Sequence, residues 1–196
     1  MEAKRNEQNG KNHESSSCYN AYVAFKNTGD CPVYINDACI NYEDDNGRLL
    51  ATDKNAKCIP QAVKPGQIGY VYSYYEDLLG ADLTNGIRVE PDGDVIEATG
   101  FYEIDVSDVS ASTSGYGTVK VIGRGTNNTD SAREYAEPGA VFFGKDGSIM
   151  GFCYGWESFD IGQTKSFEIS GEMMSEDCKE EDLDHVEVYI QGYSWF

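Results

Sequence analysis

Histidine is nearly missing from this chain, and so is any long apolar run. His13 and His185 are the only two imidazoles in 196 residues, so a Ser–His or Cys–His nucleophilic mechanism has almost no material to work with. No stretch approaches the roughly 20 apolar residues that a membrane helix needs. The opening MEAKRNEQNGKNHESSS lacks the apolar centre of a signal peptide. It reads as a disordered or flexible polar spacer over residues 1–17, and if the protein is exported its signal was removed ahead of this numbering. None of the six cysteines (Cys18, Cys31, Cys39, Cys58, Cys153, Cys178) forms a C-x-x-C pair, and the two histidines are remote from each other in sequence. A structural zinc site is therefore not expected. Basic residues are also scarce: 15 Lys and Arg stand against 34 Asp and Glu, for a formal charge of -19. A nucleic-acid backbone or an anionic membrane surface would be repelled.

What is present favours strands and tight turns. Tyr (14) and Gly (21) are plentiful, Pro (5) is not, and 40% hydrophobic content supports a packed core. The acidity is shared along the chain, with 16 acidic against 6 basic groups in residues 18–112 and 15 against 6 in 113–196. It reads as a solubility device and not as a tail.

The chain repeats itself. Asn27-Thr28-Gly29-Asp30 returns as Asn127-Asn128-Thr129-Asp130 at an offset of 100. The same offset relates Tyr42 to Phe142, Asn46-Gly47 to Asp146-Gly147, and Leu49-Leu50 to Ile149-Met150. Gly66-Gln67 matches Gly162-Gln163 at an offset of 96, as though a loop had lost four residues in between. Each copy reads as strands. Ala21, Val23 and Phe25 alternate with Tyr22, Ala24 and Lys26, and both copies carry a hairpin signal, Asn-Gly or Asp-Gly. The expected closing strands are Tyr102–Val106 and Val186–Ile190. The fold predicted is all-β: two tandem immunoglobulin-like β-sandwich domains, 18–112 and 113–196, meeting near Ser112–Gly115.

Asn-Thr-Gly-Asp, then a hydrophobic strand, Asn-Gly-Arg-Leu-Leu and Pro-Gly-Gln resemble the FxLYD-type module of bacterial envelope lipoproteins. The second copy resembles it in Val121–Asn128, Ala140–Gly147 and Gly162–Phe167. The eponymous letters are replaced in both copies, by Ile40, Tyr42 and Asp44 and by Ala140, Phe142 and Gly144. The resemblance implies an immunoglobulin-like fold and an extracytoplasmic location, and it brings no catalytic residues.

Several constellations carry candidate chemistry. Tyr70, Tyr72 and Tyr74 alternate along one strand, and at the 96 offset they face Ser166, Glu168 and Ser170, whereas Val71 and Ser73 match Phe167 and Ile169. That register places the tyrosines on the solvent side, as a ligand platform or a domain contact, although a slip of one residue would turn them inward. Glu90–Glu97 gathers Asp92, Asp94 and Glu97 around Gly93 as calcium loops do, and the plain reading is a solvated turn. Glu43–Asn46 is a second acidic turn. Asn127-Asn128-Thr129 matches a glycosylation sequon, and turn chemistry accounts for it better. An even cysteine count favours an oxidising compartment. Cys153 and Cys178 are expected to pair, and the four cysteines of the first copy leave three pairings open.

The reading reached is a non-catalytic interaction or structural module, extracellular or in the cell envelope and lipid-anchored if a removed N-terminal segment carried the anchor. It needs no cofactor and is expected as a monomer. Its partner is a protein or a carbohydrate at the cell surface. The runner-up is a carbohydrate-binding protein using the tyrosine stripe with Trp156 and Trp195. A glycosidase-like enzyme ranks last, because no two carboxylates stand out as a pair.

Overall fold

Alternating apolar residues and glycine turns produce fifteen strands and no α-helix among the described residues. The computed structural model describes residues 18–44, 46–76, 88–113, 118–173 and 179–193, with the backbone alone at 18–20, 74–76, 88–91, 172–173 and 193. The polar opening and Trp195 lie outside the described residues.

The chain divides into two compact units. The first comprises the residues up to Cys58 and Val63–Glu97, and the second Ile59–Ala62 and Ala98–Phe196. The first contains β1 (Cys18–Lys26), β2 (Val33–Glu43), β3 (Leu49–Asp53), most of β4 (Lys57–Ile59), the second residue of β5 (Ala62–Val63), β6 (Ile68–Glu76) and β7 (Arg88–Glu97). Antiparallel β1-β6-β4 forms one sheet, and β3-β2-β5 with β7 beside β2 forms another. Ala21 and Val23 of β1 and Val71 of β6 meet Ala38, Ile40 and Tyr42 of β2 in the core between them.

The second unit contains β8 (Phe101–Glu103), β9 (Asp105–Thr113), β10 (Thr118–Thr126), β11 (Arg133–Gly144), β12 (Ile149–Tyr154), β13 (Glu157–Phe159), β14 (Thr164–Met173) and β15 (Leu183–Tyr193). Here one sheet runs β8-β15-β11-β12-β14-β10-β9, with β13 beside β11. Its core includes Val121, Phe142, Met150, Phe159, Phe167 and Ile190.

The repeat is visible bond by bond. Lys26 pairs with Ile68 and Thr126 with Thr164, and the ladders continue in the same register to Cys18↔Glu76 and Thr118↔Glu172. The partner on the second strand is displaced by 96 while the first is displaced by 100, as the sequence offsets require. Both hairpins bulge at the same place, after Tyr42↔Ala51 and after Phe142↔Gly151. Gly47 and Gly147 turn at φ 76° and 79°, Gly66 and Gly162 at 80° and 69°, conformations that glycine adopts without a Cβ clash. Core volume is exchanged across the ladder: Val23↔Val71 becomes Gly123↔Phe167, and a Cβ on Gly123 would lie 2.7 Å from the Phe167 ring.

Two expectations need correction. The boundary falls at Glu97/Ala98 and not near Ser112, because the run read as the first copy's closing strand pairs within the second unit, β8 with β15 and β9 with β10. The closing strand of the first unit is instead β7, which lies along β2 where β15 lies along β11. Why one copy keeps two sheets while the other joins them has a local cause. In the second unit β12 also pairs with β14, bringing Cys153 opposite Gly171. A Cβ on Gly171 would sit 2.1 Å from the Phe152 carbonyl oxygen, and its counterpart at the 96 offset is Tyr75.

Candidate functional site

β6 positions the tyrosine stripe, and it does so in the expected register but without the expected exposure. Val71 and Ser73 face the core, each 1% exposed, yet Tyr70 and Tyr72 on the opposite face are buried too, at 7% and 5%, beside Tyr22 at 6%. The solvent-side platform is therefore corrected for these two residues: from Tyr70 to Ser73, β6 is covered on both faces. The Tyr74 side chain lies outside the described residues.

Asp92, Asp94 and Glu97 belong to β7 and not to a turn or a calcium loop. The strand pairs with β2 through a bulge between Asn36 and Cys39, where Asp37 takes φ 52° and Gly93 φ 139°. All three carboxylates are exposed, and at about 3.3 Å per residue Asp92 and Glu97 are roughly 16 Å apart along the strand. They do not converge on one ion. Among the described residues no group of three His, Cys, Asp or Glu is placed to hold a metal.

Cys153 is a free thiol in this structure and not half of a bridge. Its side chain packs into the core of the second unit, and Cys178 lies outside the described residues. Burial pushes the Cys153 and Cys58 thiols up to about 12, Cys153 being the more completely covered residue. Cys39 is raised by burial first and by the Asp92 carboxylate next, against the pull of Lys54. Cys31 and Cys39 are free as well.

Asn127 of the sequon is fully buried. Its amide donates to the carbonyls of Ser131 (2.9 Å), Asp160 (3.2 Å) and Phe159 (3.3 Å), and its oxygen accepts from the Thr129 N–H (3.0 Å). Asn27 does the same work, donating to Cys31 and Val63 and accepting from Gly29. Both asparagines are turn ties.

The first core holds a polar chain that sequence reading missed. Ser73 donates to Asp53 at 2.6 Å, and Tyr42 Oη lies 2.7 Å from Ser73 Oγ. Since the Ser73 hydrogen points to Asp53, the Tyr42 hydroxyl is the donor to Ser73. Asp53 also accepts from the Asn55 N–H at 2.8 Å. With Tyr42 and Ser73 each 1% exposed and Asp53 8%, the chain has the burial of a structural network. The signal was available in the repeat: Tyr42, Asp53 and Ser73 correspond to Phe142, Cys153 and Ile169.

A row of polar groups crosses the second sheet, Glu137↔Gln191↔Glu103. Gln191 receives the Ala62 N–H at 3.0 Å, returns a bond to the Ala62 carbonyl at 3.2 Å, and donates to Glu103 at 2.8 Å. Gln61 donates to Glu137. Ile59 covers Gly139, where a Cβ would lie 3.2 Å from it. The segment 59–62 is thus laid on the sheet, and each carboxylate of the row accepts from a glutamine amide.

Among the described residues the exposed aromatics lie on the second unit. Tyr135 is 64% exposed, Tyr154 43% and Trp156 59%. Tyr154 stands opposite Gly139, Trp156 leads into β13, and Tyr135 adjoins Ala136, which pairs with Glu157. Trp156 was legible as a candidate. Tyr135 and Tyr154 were not, because their counterparts at the 100 offset, Ile35 and Lys54, are not aromatic.

No family profile and no curated protein matches the chain. Among solved structures it is similar to a beta-glucuronidase from glycoside hydrolase family 2, at 10% identity over 87% of this chain and 22% of that one, with a TM-score of 0.23. At that score the likeness bears on neither fold nor activity.

Proposed function

We propose that this chain is a non-catalytic interaction or structural module of a bacterial envelope or secreted protein, built from two immunoglobulin-like copies related to the FxLYD-type domain. The supporting observation is the placement of Tyr135, Tyr154 and Trp156 on exposed positions of the second unit. Flat aromatic surface offered to water is what partners bury. The polar groups Tyr42–Ser73–Asp53, Gln191–Glu103 and Gln61–Glu137 are bonded among themselves, and Gln191 also to the Ala62 backbone. They are suited to holding strands.

The same aromatics favour a second reading, a carbohydrate-binding surface, since rings at this exposure stack on sugar faces. Titrating the full chain with soluble cell-wall polysaccharides while following tryptophan fluorescence separates the two. A saturable change lost in Trp156→Ala, with the melting temperature retained, supports the sugar binder. No response, with binding confined to protein partners, supports the first reading. Turnover of chromogenic glycosides or esters would overturn both, and recovery of the natural protein in the cytosolic fraction would overturn the envelope or secreted location.

A further inference from the structure

Superposed by their offsets, the two copies differ by one strand. In the second unit an extended run closes two sheet edges at once. β8 pairs with the end of β15 (Gln191↔Glu103, Gly192↔Tyr102, Tyr193↔Phe101), and β9 pairs with β10 from Thr126↔Asp105 to Val119↔Thr113. Tyr102 and Ile104 are buried in the core, with Val106 and Ala111 packed against it.

The corresponding edges of the first unit belong to β7 and β1. Among the described residues β1 pairs with β6 alone and β7 with β2 alone. At the end of β7 that corresponds to the covered end of β15, Val95 and Ile96 are 65% and 47% exposed. The two edges also differ in chemistry. Sheets blunt an exposed edge with charges, proline and bulges. β7 carries charges and a proline, in Asp92, Asp94, Glu97 and Pro91. β1, CYNAYVAFK, has no proline and one charge, Lys26. Its edge is fit for pairing.

The sequence of the chain's own opening is unlike that of the strand. At the offset of 100 it would place Glu2, Lys4, Asn6 and Lys11 where Tyr102, Ile104, Val106 and Ala111 face inward, and unpaired charges in a core are costly.

We propose that the first unit is a strand acceptor. It takes an extended segment of a partner polypeptide by β-augmentation, laid along β1 in the place that β9 occupies in the second unit, with its start passing beside the acidic end of β7. The segment presents apolar residues at alternate positions to the core. Its outward positions are basic, because Asp92, Asp94 and Glu97 line one of the edges it meets. This site is separate from the aromatic surface of the second unit, so either can fail without the other.

The test uses the full chain and a synthetic peptide of residues 101–113 carrying Glu103→Lys, Asp105→Lys and Asp108→Lys. Calorimetric titration is expected to give saturable 1:1 binding and a raised melting temperature. Weaker binding of the parent acidic peptide is also expected. Backbone N-methylation at alternate residues should abolish binding in one phase and be tolerated in the other, as pairing along one edge requires. Absence of binding, or equal binding of both methylated phases, would overturn the proposal. Binding that appears only after deletion of residues 1–13 would assign the edge to the chain's own opening. Concentration-dependent dimerisation in competition with the peptide would assign it to a second copy. Either result also overturns the proposal.

Discussion

Ser73 donates a 2.6 Å hydrogen bond to Asp53 inside the first core, and the residues at the same places in the second core are Ile169 and Cys153. With Tyr42, which becomes Phe142, the repeat contains both solutions to one packing problem: three polar groups satisfied in a chain, or three groups with nothing to satisfy.

The two solutions should be interchangeable as sets and not singly. Ser73→Ala leaves the Asp53 carboxylate and the Tyr42 hydroxyl short of a partner, at an expected cost of about 2–3 kcal/mol. The triple variant Tyr42→Phe, Asp53→Cys, Ser73→Ile copies the second unit and should stay within about 1 kcal/mol of wild type. Urea midpoints read both. A triple variant less stable than Ser73→Ala would show that the network contributes more than satisfaction of its own polar atoms.

Cys153 makes a prediction about alkaline pH. Its thiol is pushed up to about 12 in the fold, from an ordinary value of 9.0, so the folded state holds this proton more tightly than the unfolded chain. The resulting stability is fully present below about pH 9 and is lost as pH rises towards 12. The slope of stability with pH in that window should shrink in Cys153→Ala. At pH 8 the native protein should leave Cys153 unmodified by a thiol reagent. After denaturation without reductant at least four thiols should react, those of Cys31, Cys39, Cys58 and Cys153.

Asn127→Ala should destabilise the second unit by about 3 kcal/mol, since it orphans buried carbonyls and frees the turn at Thr129. Asn27→Ala should do the same to the first. Intact mass of the protein made in a glycosylating host should show no glycan on Asn127, whose amide nitrogen is fully engaged inside the fold.

Gly171→Ala tests why the second sheet is continuous. The new methyl would meet the Phe152 carbonyl at 2.1 Å, so β12 and β14 must separate, at an expected cost of at least about 2 kcal/mol. Amide exchange should accelerate along Gly151–Cys153 while the β11–β15 ladder keeps its protection. Unchanged exchange at Gly151–Cys153 would remove the steric account.

The repeat, its two offsets and the turns at Gly47, Gly66, Gly147 and Gly162 were determined by the sequence alone. These are local matters: a glycine permits positive φ wherever it stands, and alternation along a strand assigns each side chain to one face. The inward placement of Val71 and Ser73 followed from the same rule. Coverage is a different property, and only the tertiary structure decided it. Alternation states which face Tyr70 and Tyr72 share, but what lies over that face depends on residues far away in the chain. For the same reason Asp92-Gly93-Asp94 read as a turn. Its composition is that of a turn, yet β2 is there to pair with it, and a bulge of β2 at Asp37–Ala38, opposite Gly93, absorbs the misfit. The boundary at Glu97/Ala98 was decided in the same way, by the edges of β15 and β10, which capture a run that composition left equally free to close the first copy.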